Sequence, residues 1–95
     1  MARYITLLKF TEQGAKNIKK STARAQAFDK LAAKSGVKVE GQYWTMGQFD
    51  GVLILSASDE TKILHMLTSV AAFGNVRTQT MQAFVDSEFD AIVGR

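Results

Sequence analysis

A chain of 95 residues, 46% hydrophobic and without cysteine or proline, is expected to form one small domain, residues 1–95, with a modest core for its surface. The missing cysteines exclude a disulfide frame and a thiolate metal site. No apolar run approaches the roughly 20 residues that cross a bilayer, and the net charge of +3 is only mildly basic.

Met1-Ala2-Arg3-Tyr4 runs straight into a strand pattern with no signal-peptide core, so a cytoplasmic protein is expected. Residues 3–10 form the first strand, with Tyr4, Thr6, Leu8 and Phe10 on one face and Arg3, Ile5, Leu7 and Lys9 on the other. Both faces carry large apolar groups, so the strand is central. Thr11 is a candidate N-cap in the turn Thr11-Glu12-Gln13-Gly14.

Residues 15–34 read as one helix. Ile18, Ser21, Ala25, Phe28 and Ala32 form its apolar stripe, with Arg24 and Leu31 at the margin. Six of the twelve cations lie between Lys16 and Lys34. A basic face of this kind is read either as a contact for nucleic acid or as an ordinary solvated surface. No aromatic residue shares the face of those lysines to stack bases, which argues against nucleic acid. Gly36 stands where a left-handed helix end is wanted.

Val37–Met46 is the second strand. Strict alternation puts Val37, Val39, Tyr43 and Thr45 on one face, and Lys38, Glu40, Gln42, Trp44 and Met46 on the other. The second set begins polar, as on an edge strand. Trp44 and Met46 then break the polarity and mark a candidate subunit interface. After the turn Gly47–Gly51, Val52–Ala57 is apolar on both faces and therefore central.

Ser58-Asp59-Glu60 opens the second long helix with a cap and early acids. Its expected stripe is Ile63, Leu64, Leu67, Val70 and Ala71. His65 lies nearly opposite that stripe and is expected at the surface. Gly74-Asn75 ends the helix. Val76–Phe84 is a second, threonine-rich edge strand, and Asp86–Val93 is a short amphipathic helix whose Phe89 is a further interface candidate.

The order βαββαβ implies a ferredoxin-like α+β fold. Right-handed crossovers place both helices on one face of a four-stranded antiparallel sheet, with strands one and three in the middle. The other face also carries large apolar groups, and two sheets stacked face to face would hide it. A homodimer, or a higher oligomer, of the dimeric α/β barrel kind is the expectation.

Three spaced motifs carry a family resemblance. They are Thr11-Glu12-Gln13-Gly14, then Tyr43-Trp44-Thr45-Met46-Gly47-Gln48-Phe49-Asp50, then Gly74-Asn75-Val76-Arg77-Thr78-Gln79-Thr80 running into Ala83-Phe84. The chain resembles the GYD domain family, small bacterial proteins named for a Gly-Tyr-Asp signature. Phe49 stands where the signature has tyrosine, so packing survives there and a phenolic hydroxyl does not. The resemblance implies the ferredoxin-like, dimeric α/β barrel fold and assigns no activity.

Candidate ligand-binding residues are Arg24, Tyr43, Asp50, Thr78 and Thr80. Arg24 beside the helix stripe suits a ligand carboxylate beneath the helix, or a side chain lying along the core edge or paired with an acidic residue. Asp50 between glycines reads as a carboxylate at a pocket mouth, or as a turn residue bonding its own turn amides. Tyr43, Thr78 and Thr80 line a pocket or make cross-strand pairs. No His, Cys or carboxylate set has metal-ligand spacing, and neither serine near the third strand has a triad partner. No metal, no cofactor and no catalytic residue is assigned. The leading expectation is a homo-oligomeric module that binds a small molecule or serves assembly. The alternative is a cofactor-independent isomerase or oxygenase of small aromatic or polyketide-like substrates, by fold analogy.

Overall fold

A computed structural model describes residues 1–94. The strands are β1 (Ala2–Phe10), β2 (Lys38–Trp44), β3 (Gly51–Ala57) and β4 (Val76–Ala83); the helices are α1 (Glu12–Lys16), α2 (Ser21–Lys34), α3 (Glu60–Ala72) and α4 (Asp86–Val93). The sheet order is β2-β3-β1-β4, with every pairing antiparallel. This is the ferredoxin-like α+β arrangement, with the two most apolar strands in the middle. No helix of the described residues is long and apolar enough to cross a membrane.

Tyr4, Leu53, Leu55 and Ala57 on the sheet pack with Ala32 of α2 and with Ile63 and Met66 of α3 in one buried cluster. Both long helices therefore cover the same sheet face. Register extends that face to Thr78 and Thr80 of β4, opposite Leu8 and Thr6. Thr6 is fully buried, and its hydroxyl meets that of Thr80 at 2.8 Å. Pairing the two hydroxyls removes the cost of burying either one alone.

Three details differ from the sequence reading. The first helical region is not one helix over 15–34. It begins at Thr11, whose side chain caps Gly14, and breaks at Asn17 before a 3₁₀ turn, Ile18–Lys20. The Asn17 side-chain amide donates to the Gln13 carbonyl, the kind of local competition that interrupts helices. The buried stripe of α3 is centred on Ile63, Met66, Leu67 and Val70, while Leu64 is 63% exposed.

The third difference matters most. A bulge between Val39 and Gly41 inserts one residue into β2, and an inserted residue reverses the alternation beyond it. Gln42 and Trp44 therefore pair with Leu53 and Gly51 on the helix side, and Tyr43 pairs with Val52 on the other. The expected assignment of Tyr43 and Trp44 to faces is exchanged.

That second face has no helix over it. It carries Ile5, Leu7, Val52, Ile54, Tyr43 and Met81, bordered by Lys9 and Arg77 at one end and the Arg3–Glu40 ion pair at the other. Helix α4 is exposed along its whole length. The radius of gyration is 14.2 Å, against about 12 Å for a compact domain of this size.

Candidate functional site

The residues of the three sequence motifs converge at the C-terminal end of β1. Thr11 caps α1 through Gly14 N–H and donates its own hydroxyl to the Gly74 carbonyl at 2.6 Å. Its amide donates to the Asn75 carbonyl at 3.1 Å. The Gln13 side-chain amide spans the Phe73 carbonyl and the Asn75 side chain. Gly14 is buried against this backbone, and a Cβ there would lie 1.9 Å from the Asn75 carbonyl oxygen. The glycine is required by close approach of two chains.

Asp50 joins the same end from the β2–β3 hairpin. Its carboxylate accepts from Phe10 N–H at 2.8 Å, and its amide donates to the Leu8 carbonyl at 2.8 Å. The Asp50 carboxylate thus bonds the neighbouring strand rather than its own turn. The Thr45 amide and hydroxyl close the hairpin on the carbonyls of Asp50 and Phe49.

Next to this junction is a cavity of about 300 Å³ between α2, the end of α3 and the sheet. Its wall is almost wholly apolar: Phe28 and Leu31 from α2, Leu8, Phe10 and Val76 from the sheet, and Val70 with Phe73 from α3. The charged groups of the wall are Arg24 and Asp50. Arg24 is half-buried, donates to the Asn17 carbonyl at 2.9 Å, and forms no ion pair among the described residues. The Trp44 indole N–H donates to the Ser21 hydroxyl at 2.9 Å, fastening the edge strand to α2 across the cavity rim.

Of the candidate ligand residues, Arg24 and Asp50 border this cavity. Tyr43 borders it from the strand, with its ring on the uncovered face beside Gly41 and Ile54. Thr78 and Thr80 lie outside its wall. Among the interface candidates, Trp44 is on the helix side, Met46 is 99% exposed in the hairpin turn, and Phe89 is 58% exposed on α4. His65 is exposed on α3. Sequence reasoning missed Phe73 and Val76 as cavity wall. Their signal was position, since both flank the Gly74-Asn75 motif.

Comparison with known proteins gives three relations. A "Glutamine synthetase and cystathionine beta-lyase binding protein" of Thermus thermophilus is 30% identical over 84 residues, 87% of this chain and 88% of the relative. MtbAldR superposes with a TM-score of 0.65 at 13% identity over 90% of this chain, which spans 52% of that structure's length. A hypothetical protein, PHS023, from Pyrococcus horikoshii gives 0.57 at 17% identity, covering 90% of this chain and 93% of its own. These two structures share the fold alone. The family model that matches is the GYD domain, over residues 4–93, and the chain belongs to that family.

Proposed function

We propose that this protein is a homo-oligomeric interaction module. Two copies pair through the uncovered sheet face, and the pair docks on a partner enzyme. The observation that carries this reading is the uncovered face itself, an apolar field of Ile5, Leu7, Val52, Ile54, Tyr43 and Met81 on one side of the sheet. A flat sheet with both faces apolar is stable in water when a second layer covers it.

The occupant favoured is a second copy, and charge supports that choice. The border of the face is basic, with Lys9, Arg77 and Lys38. Helix α4 presents Asp86, Glu88 and Asp90 together with exposed Phe89, Ile92 and Val93. An eight-residue helix is marginal in water by itself. It gains a support by lying along the basic border of the opposite subunit, and a two-fold axis makes that contact twice.

The partner-enzyme part of the reading draws on the Thermus relative, whose name attaches it to glutamine synthetase and cystathionine beta-lyase. Sedimentation velocity at micromolar protein is expected to give twice the 10.4 kDa subunit mass. Titration into purified glutamine synthetase and cystathionine beta-lyase is then expected to give a saturable complex with one of them. A stable single subunit at ordinary salt overturns the pairing, and two flat titrations overturn the docking.

The second reading is a cofactor-independent isomerase or oxygenase. It draws on Arg24 and Asp50 bordering one cavity, as anchor and base. Phe10 N–H already holds one oxygen of Asp50, so a base there works through the other oxygen.

A further inference from the structure

We propose that the cleft between α2 and the sheet binds a small monocarboxylic acid with an apolar, aromatic-sized body, its carboxylate held by Arg24. This site lies on the helix side of the sheet and meets the uncovered face only at Tyr43 and Val52, which border both.

The volume sets the first limit. About 300 Å³ is at the small end of pockets that take organic ligands. The wall sets the second. Leu8, Phe10, Phe28, Val70, Phe73 and Val76 offer carbon to nearly the whole of an occupant, so the body of the ligand is hydrocarbon or aryl.

The charge comes from Arg24. A half-buried guanidinium beside an apolar cavity has lost part of its hydration, and one backbone carbonyl, that of Asn17, restores little of it. Arg24 has no acidic partner among the described residues, although Asp50 borders the same cavity. Its remaining N–H groups are therefore available for a planar, bidentate anion, and a carboxylate matches that fork.

Asp50 sets the third limit. It approaches from the sheet side, opposite the helix that carries Arg24. A second ligand carboxylate directed toward Asp50 would meet like charge. The ligand is thus a mono-anion.

Trp44 is the chain's sole tryptophan and part of the wall, so it reports occupancy without a label. The probes are 3-phenylpropanoate, the neutral 3-phenylpropanamide and the dianion phenylsuccinate. Titration with 3-phenylpropanoate is expected to change Trp44 fluorescence saturably, with calorimetry giving the same affinity. The amide and the dianion are each expected to bind roughly tenfold or more weakly, the usual scale for losing a charge-assisted pair or adding a repelled charge. Arg24→Gln is expected to erase the preference for acid over amide, and Arg24→Lys to restore part of it. Ala25→Leu, which fills the α2 wall, is expected to weaken acid and amide alike.

No saturable change with the acid overturns the proposal. So does equal affinity for acid and amide in the unaltered protein, a comparison that needs no folded variant. An unchanged acid preference in a folded Arg24→Gln protein overturns Arg24 as the anchor.

Discussion

The carboxylate of Asp50 accepts the amide hydrogen of Phe10 at 2.8 Å, across 40 residues of sequence. It occupies the place where a further residue of β3 would have continued the ladder beyond the Leu8–Gly51 pair. Asp50→Ala leaves the part-buried Phe10 amide without a partner, and is expected to cost about 1–3 kcal/mol. Asp50→Asn keeps an acceptor oxygen and is expected to cost less than half as much. Urea midpoints of the two variants, at unchanged slope, check the ordering.

Gly14 and Asn75 give a second test of the same corner. Alanine in a helix ordinarily gains on glycine by about 0.5–1 kcal/mol. Here its Cβ would fall 1.9 Å from the Asn75 carbonyl oxygen, so backbone must move. Gly14→Ala is therefore expected to destabilise by about 1–3 kcal/mol despite its better helix propensity. A thermal midpoint at or above that of the unaltered protein would refute the close packing.

The Trp44–Ser21 bond fastens the edge strand to α2. Ser21→Ala and Trp44→Phe are each expected to cost about 0.5–1.5 kcal/mol through the lost hydrogen bond. The double variant should cost less than their sum, because both remove one interaction. Additive losses in denaturant titrations would mean that the bond contributes nothing.

This contact also marks where the sequence stopped being readable. The central strands were legible because Ile5, Leu7, Val52 and Ile54 sit on a second face where polar residues normally stand. The caps at Thr11 and Gly36, whose φ is +79°, were legible because they rest on local chemistry. Trp44 lies on the face opposite to the one that alternation predicts, because alternation assumes unbroken pairing. The bulge beside Gly41 depends on how β3 pairs, which no local pattern states. Arg24 was legible as a cation at the margin of an apolar helix stripe, and Asp50 as a carboxylate set between turn glycines. Phe73 and Val76 were not, since a cavity wall and a core are made of the same side chains.

Asp59 caps α3, and its carboxylate accepts the Thr61 amide hydrogen at 2.9 Å. The hydrogen bonds from Thr61, aided by the charge of Lys62, hold its pKa below the usual 3.8. A carboxyl with a lowered folded value favours the folded state above its unfolded pKa, and that contribution is lost as pH falls through the folded value. Asp59→Asn keeps the cap acceptor but removes the titration. Its stability is expected to vary less than that of the unaltered protein between about pH 5 and pH 2. Parallel stability curves for the two proteins over that range would show that the cap carries no pH dependence.

Met81 tests the uncovered face with the least disturbance to the subunit. It is 44% exposed on edge strand β4 and stands opposite Ile5. A glutamate there remains hydrated in a lone subunit, so Met81→Glu is expected to leave the fold and its thermal unfolding at low concentration nearly unchanged. In a face-to-face pair the same carboxylate is desolvated against apolar groups, and two-fold symmetry places a second one in the interface. Lys9 and Arg77 lie nearer the far end of the strands, and Arg3, the same-face cation nearest in register, is already paired with Glu40. The dissociation constant from sedimentation equilibrium is expected to rise at least about tenfold. An unaltered constant, with the variant folded, would mean that the copies pair elsewhere or stay apart.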